Sequence, residues 1–554
     1  MFSAMRTKLQ CASVTVFILS VTSFIVIISY TSRTNTRAQF EKQELDDYLR
    51  NRPNSIRDSI RKRQLSSSRE RKNGNATEIL ANKKRELSNV DRAGVDEDYN
   101  FDTGEKTSTK TQIVVTAKQT TNGSSLFFPQ HKVTKTFRLV DRGENIQAGT
   151  VQVHIPTAVH YDNYPVPSGF NVFLNGWARH NDSMNFKCCF LHSFTPSPKT
   201  QSVTFTEVQS QVYNVYKQWI VDMQNAEFTC SLPQEYMTSI GKSQFDYVTL
   251  VKDSCLDAPG DVMRIEYPKK VANSVGLCLK VSYGKLDPEK VLEWFEYSKL
   301  MGVTKVFTYY FDVDPPGMKV LRYYNTTGFL DLVLIHPAKS KNGKDRGFRH
   351  PRYSEQAFVD EVMGVNDCKH RMSNYDYVIV MDVDEFIVPL GEMSTYHQVL
   401  KAASTKYPTA GGFQIDSYVV VTSWGATRDS PLHLTRYVNR TSVVNYDGAH
   451  RNTRWAFMPH RTFYARNNFV YVRKGFAVEP IPHDFYKLFH YRSCKRQWGD
   501  CAKTPKETDK AILKYEVPLI SNIVKLPLSE LLDSNPAYVK KVTQWWENYQ
   551  RRKL

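Results

Sequence analysis

Two rhythms of apolar and polar positions divide this chain. Between about residues 111 and 252, short alternating runs (111–117, 151–155, 169–174, 201–207, 245–251) are separated by turn residues. Period-two alternation of this kind predicts half-buried strands and a mostly β domain, with a sandwich as the simplest form. Only 208–219 offers a helical period there. Near Ser274 the rhythm changes to strands alternating with helices. The run 277–283 reads as a strand, and Asp287-Pro288-Glu289 then opens a helix, with Asp287 as N-cap and Pro288 at the first helical position, where a missing N–H costs nothing. Val291, Leu292, Phe295 and Leu300 form its apolar stripe, and Gly302 ends it. Strand 303–311, helix 316–324, strand 329–335, helix 354–371 and strand 377–381 follow. Such alternation predicts right-handed crossovers and a parallel sheet, an α/β fold. Beyond Pro389 the order loosens: 413–424, 470–476 and 487–492 read as strands, and 538–549, with Val539, Val542, Trp545 and Trp546, as a docking helix.

The fourth predicted strand ends abruptly in acid: Val378-Ile379-Val380-Met381 runs into Asp382-Val383-Asp384-Glu385. A strand apolar on both faces belongs at the centre of a parallel sheet and delivers its chemistry at its carboxyl end. Two carboxylates one residue apart can grip a hard divalent cation, which can hold a diphosphate. The triplet alone is weak, since Asp312-Val313-Asp314 is another; the preceding strand and its place in the series give it weight. A phosphatase of the D-x-D-x-T kind is excluded, because Phe386 stands where the hydroxyl belongs. Trp177, Tyr161 and Tyr164 are candidates for a sugar-stacking surface, or for core packing.

Residues 9–30 carry no charge and are long enough to span a bilayer, with Lys8 and Arg33 on either side. They predict an uncleaved signal anchor after a cytosolic tail (1–8), with the body in the secretory lumen. Sequons at Asn75, Asn122, Asn181, Asn325 and Asn439 lie on one side of the span. Of nine cysteines, Cys11 lies within the span; the even remainder suits disulfides, and Cys494 with Cys501 is the one local pair. The net charge of +18 invites a nucleic-acid partner. Yet the basic excess concentrates in stretches such as 57–72, poor in aromatics, which read as a solvated stem (31–110), so no nucleic acid is expected. The β domain then covers 111–273 and the α/β domain 274–554.

Asn366-Asp367-Cys368, the strand 377–381, Asp382-Val383-Asp384-Glu385-Phe386-Ile387-Val388-Pro389 and later His490-Tyr491-Arg492, with Gln356 upstream, together resemble glycosyltransferase family 92. The resemblance covers roughly residues 277–501, and the long D-x-D-E-F-x-x-P form is far more specific than D-x-D. It implies a GT-A (Rossmann-like) domain in a type II Golgi membrane protein, an inverting β-1,4-galactosyltransferase using UDP-galactose and Mn²⁺ on a glycan acceptor, such as the fucose of N-glycan cores. Carried over by residue, Asp384 coordinates the metal, Asp382 meets the metal or the donor ribose, and His490 completes the shell, with His483 in reserve. A borderline cation accepts imidazole beside carboxylates. Inversion also needs a carboxylate base. Trp424-Gly425-Ala426-Thr427-Arg428-Asp429 resembles the aromatic–glycine–acid loops of such enzymes and favours Asp429, with Asp416, Asp447 and Asp484 as competitors. Arg352, Arg454 and Arg461 are candidates for the diphosphate, and Tyr283 for the nucleotide base. The non-enzymatic alternative is a lectin-like luminal glycan-binding protein.

Overall fold

The computed structural model describes residues 128–553 apart from 142–145, 148–152, 161–168, 180–184, 193–194, 196, 217–222, 242–243, 259, 336–354, 443–452, 467–468 and 494–504. The expected anchor 9–30, the stem, strand 111–117, Tyr161, Tyr164, Arg352, Asp447, Cys494 and Cys501 lie outside the described residues. No helix among the described residues is long and apolar enough to cross a membrane.

The first part is β, as expected, but not a sandwich. Strands Gln130–Leu139, Asp261–Arg264, Tyr247–Val251, Lys187–Leu191 and Ser197–Gln209 close into a barrel, because Gln130–Leu139 pairs with Ser197–Gln209 along one edge and with Asp261–Arg264 along the other. Closure removes the open edges that a sheet otherwise exposes. A second, five-stranded sheet stands beside it, centred on Gly169–Arg179 and Met223–Pro233. Disulfide Cys188–Cys230 ties barrel to sheet, and Cys189–Cys255 closes within the barrel. The helical expectation for 208–219 is corrected: its described residues lie in strands Ser197–Gln209 and Gln211–Tyr216. Exposed Gln209 between buried Val208 and Ser210 is a period of two, which outweighs the apolar spacing that suggested a helix.

The second part is mixed α/β. Four strands, β1 (Val275–Gly284), β2 (Lys305–Val313), β3 (Leu330–Leu334) and β4 (Tyr377–Val380), lie parallel in the order β3-β2-β1-β4. Helices α1 (Pro288–Leu300), α2 (Pro315–Thr326) and α3 (Glu355–Arg371) connect them. The α1 start is as read: the Asp287 side chain accepts from the Lys290 N–H, Pro288 opens the helix, and Gly302 takes φ +76° at its end. Val291, Leu292, Trp294 and Phe295 are buried beneath the sheet with Leu277 and Ile379. The other face buries Cys278, Phe307, Val378 and Val380 against α3, and disulfide Cys278–Cys368 staples α3 to β1. In the chain-entropy picture a cross-link between residues 90 apart in sequence stabilises by about 4.6 kcal/mol.

Beyond β4 the chain reverses. Strand β5 (Glu385–Pro389) pairs antiparallel with β8 (Tyr486–Arg492), while β6 (Ala410–Val421) and β7 (Thr453–Phe457) extend the main sheet antiparallel from β4. Helix α4 (Tyr396–Lys406), the short α5 (His433–Arg436) and the C-terminal α6 (Pro536–Lys553) pack around it, with Val542 of α6 buried and Trp545 and Trp546 partly so.

Candidate active site

Strand order reverses at β1, whose neighbours are β2 on one side and β4 on the other. Crossovers leave in opposite directions there and open a crevice at the carboxyl ends. Both walls of the crevice carry charge. On β1 the register slips between Cys278 and Val281, and Lys280 occupies the slip at φ +56°. A left-handed lysine costs on the order of 1–3 kcal/mol and persists only where the surroundings hold it. Here α3 holds it: a Cβ at Gly364 would lie 3.0 Å from the Lys280 carbonyl oxygen, so any larger residue would push this approach apart by a few tenths of an ångström. Lys280 Nζ then lies 2.7 Å from Asp382 Oδ1 and 3.4 Å from Glu361 Oε2.

On β4 the chain turns sharply after Met381. The Glu385 N–H donates to the Asp382 carbonyl (3.2 Å), and the Asp382 N–H donates to Glu385 Oε2 (3.0 Å). Arg454 of β7 clasps this turn, Nη2 lying 2.8 Å from Asp382 Oδ2 while Nε donates to Glu385 Oε2. Asp382 therefore has a cation on each oxygen. Burial alone would raise its carboxyl, but Lys280 and Arg454 hold it far below the usual range. Lys280 and Arg454 are reciprocally driven upward by these anions against the opposing effect of burial.

Asp384 is different. The register Glu385↔His490 brings β8 alongside, and the Tyr491 N–H donates to the Asp384 carbonyl at 2.8 Å. Asp384 Oδ2 lies 3.3 Å from His490 Nε2. Arg492 Nη1 is also 3.3 Å from that nitrogen. His490 Nδ1 lies 3.3 Å from Glu385 Oε1, an oxygen that is buried and without hydrogen-bond geometry to any partner. With the imidazole proton on Nδ1, toward the Glu385 carboxylate, the Nε2 lone pair points at Asp384; with the proton on Nε2, the ring donates to Asp384 instead. Carboxylate behind imidazole, lone pair forward, is the arrangement of a metal-ligating histidine. In the other arrangement, a proton-bearing His490 lowers the Asp384 carboxyl, which burial would raise. Among the described residues Asp384, Glu385 and His490 form the one cluster whose ligand atoms all lie within 4.8 Å of one another.

The structure thus brings together Asp382, Asp384, His490 and Arg454 among the expected residues. It adds Lys280 and Glu361, which no sequence spacing singled out, and gives Glu385 and Arg492, members of the quoted motifs, their places beside His490. Tyr283 sits at the end of β1 and stacks on Phe311 at the end of β2 (5.4 Å between centroids, 13° between planes). His483 is not in the cluster; it lies 3.2 Å from Asp416, whose other oxygen accepts from Gln414. Arg461 spends Nη1 on the carbonyls of Pro408 and Ala410. Trp177 is fully buried, its indole N–H donating to Asp360, so it is a core anchor and not a stacking surface. In the second triplet Asp314 accepts from the Leu286 N–H to close a turn, and Asp312 is exposed. Asp484 is exposed.

Asp429 is exposed and ion-paired with Lys541 of α6 at 2.9 Å, which lowers its carboxyl from the ordinary value. Its loop leads into α5, where the His433 ring lies 5.8 Å from the Tyr491 ring. Burial pushes that imidazole down to about 4, Lys290 adds to the depression, and the field of Asp384 opposes it.

No curated protein matches the chain. The family model described as glycosyltransferase family 92 matches residues 273–526, a stretch that begins at the head of β1 and contains the acid turn, β8 and His490. Over those residues the chain is similar to glycosyltransferase family 92.

Proposed function

We propose that this domain is an inverting, metal-dependent galactosyltransferase of GT-A type that moves galactose from UDP-galactose to a glycan hydroxyl, forming a β-1,4 bond to the fucose of an N-glycan core. The observation that carries the reading is the pair Asp384 and His490 Nε2 at the sheet's switch point, with Glu385 behind the imidazole. An oxygen and an imidazole nitrogen facing one point suit Mn²⁺ better than the harder Mg²⁺. When bound there, such an ion neutralises charge on the departing nucleoside diphosphate.

The chain's own residues have distinct tasks in this reading. Glu385 keeps the Nε2 lone pair of His490 forward. Lys280 and Arg454 hold Asp382 rigid, so that it shapes the pocket or meets the donor ribose. Arg492 faces the anionic donor, and Tyr283, backed by Phe311, offers a ring to the nucleotide base. Asp429 accepts the proton of the acceptor hydroxyl as its oxygen attacks the anomeric carbon and the bond to diphosphate breaks. Lys541 must first leave Asp429, which restores its basicity. Location in the Golgi lumen behind the 9–30 anchor is part of the proposal, and three buried disulfides agree with an oxidising compartment.

The test is the solubilised chain with UDP-galactose, core-fucosylated N-glycans and Mn²⁺. Galactose transfer that stops with chelator supports the reading. Transfer of another sugar revises the donor alone. Glycan binding without any Mn²⁺-dependent binding of UDP returns the protein to the lectin-like alternative.

A further inference from the structure

The other end of β4 holds a cavity of about 540 Å³, within the size range of small-ligand sites. It is lined by the segment entering β1 (Lys270, Asn273), the turn between α3 and β4 (Ser373 to Tyr377), α4 (His397, Lys401), and Met458 and His460 after β7. Asp376 and Asp382 stand at opposite ends of the strand, roughly 20 Å apart at about 3.3 Å per residue. The cavity is therefore separate from the acid turn.

Its polar groups are unevenly satisfied. Lys270 and Lys401 are exposed and make no ion pair among the described residues. The one carboxylate, Asp376, accepts from the Ser274 N–H at 3.0 Å and lies 3.5 Å from His397. Ser373 is 2 % exposed, and its hydroxyl, without a hydrogen-bond partner, is shielded from solvent behind the cavity wall. The half-buried ring of Tyr375 and the thioether of Met458 supply apolar wall. Two lysines, two imidazoles, amide groups, one carboxylate and the Tyr375 ring match a molecule with both hydroxyls and negative charge. A bare oxyanion would leave Asn273 and the ring unused, and a neutral sugar would leave both ammonium groups unused.

We propose that this cavity is a second carbohydrate site, taking a small anionic sugar that carries a phosphate or carboxylate. Lys270 and Lys401 meet the charge, while Asn273 and Asp376 meet the hydroxyls. The inference does not depend on the metal corner.

Calorimetric titration of the full chain with glucose 6-phosphate, glucuronic acid, glucose and inorganic phosphate tests it. At least one charged sugar is expected to bind at least tenfold more tightly than both glucose and phosphate. That binding should weaken about tenfold in Lys401→Ala and in Lys270→Ala, both exposed positions whose truncation leaves the fold intact. It should persist in Asp384→Asn, which separates this site from the metal corner. The proposal is overturned if phosphate binds as tightly as the charged sugars, if neither charged sugar binds, or if binding disappears in Asp384→Asn but survives in both lysine variants.

Discussion

Helix α3 and the acid turn after β4 both bury carboxylates, and they differ in how those carboxylates are satisfied. Where α3 meets the β sheet, each acid has a donor from the chain itself. Asp367 accepts from Tyr309 OH (2.7 Å), from Arg371 Nε and from Asn175; Asp360 accepts from the Trp177 indole; Glu227 faces His370 at 2.8 Å. Arg371 also reaches Glu266. The turn starts the same way, with Asp382 between Lys280 and Arg454, but Asp384 meets an imidazole nitrogen that donates to it in one tautomer and is an acceptor in the other. Asp384 keeps 34 % of its side chain exposed, so it is open to a cation where the acids at α3 are saturated by the chain's own donors.

The sharpest way to break this contrast is to treat the two aspartates of one triplet alike. Asp384→Ala is expected to lower transfer by three to four orders of magnitude, about 4–5.5 kcal/mol of transition-state stabilisation. Asp384→Asn should weaken Mn²⁺ at least 100-fold, whereas Asp382→Asn, whose oxygens are already committed, should change Mn²⁺ affinity by less than about threefold. Titration of Mn²⁺ in the presence of UDP reads both. Equal losses would make Asp382 a ligand and remove the distinction.

On the saturated side, Arg371→Met leaves Asp367 and Glu266 without their cation. Breaking a buried pair from one side costs about 3–5 kcal/mol. Chemical denaturation should show that loss, while the Mn²⁺ affinity of the folded fraction stays unchanged. A metal defect at full stability would show that α3 is part of the site.

An intermediate effect is expected at the proposed base. Asp429→Asn should lower kcat about 100-fold, near 2.7 kcal/mol, with Mn²⁺ and UDP affinity intact. Asp416→Asn, whose parent carboxylate is engaged by Gln414 and His483, should cost less. The reverse order would transfer the proton-accepting role to Asp416.

Much of the scaffold was readable because local physics determines it. The Asp287 cap, Pro288, Gly302 and the apolar runs of β1 to β4 each announce themselves within a few residues. The order β3-β2-β1-β4 is not written in any window, because strand neighbours are chosen by crossover packing. Asp382, Asp384 and His490 were found from their motif context. Lys280 was not, since only the slip in β1 and the close approach of Gly364 turn a strand lysine into the crevice. The place of Glu385 behind His490 likewise depends on the β5–β8 register, which pairs segments distant in sequence. The three disulfides join cysteines whose partners lie across strands, so spacing offered no signal. The barrel was mistaken for a sandwich because closure depends on one strand serving two edges.

The smallest effect concerns protons at the saturated interface. Burial lowers the His370 imidazole below its ordinary range, Lys369 adds to this, and the Glu227 carboxylate does not fully offset it. The folded protein therefore holds His370 neutral. As the pH falls through about 6.5, the unfolded chain takes up a proton that the folded chain accepts only at lower pH. Stability present above that range is then lost, with a slope of up to about 1.4 kcal/mol per pH unit. His370→Gln keeps an N–H for Glu227 and does not titrate, so its stability should fall less between pH 7 and pH 5 in denaturant titrations. Identical slopes would mean that Glu227 shields His370 more completely than burial exposes it. The α3 interface would then be insensitive to acid, and pH effects on this protein would have to be sought among its incompletely paired groups.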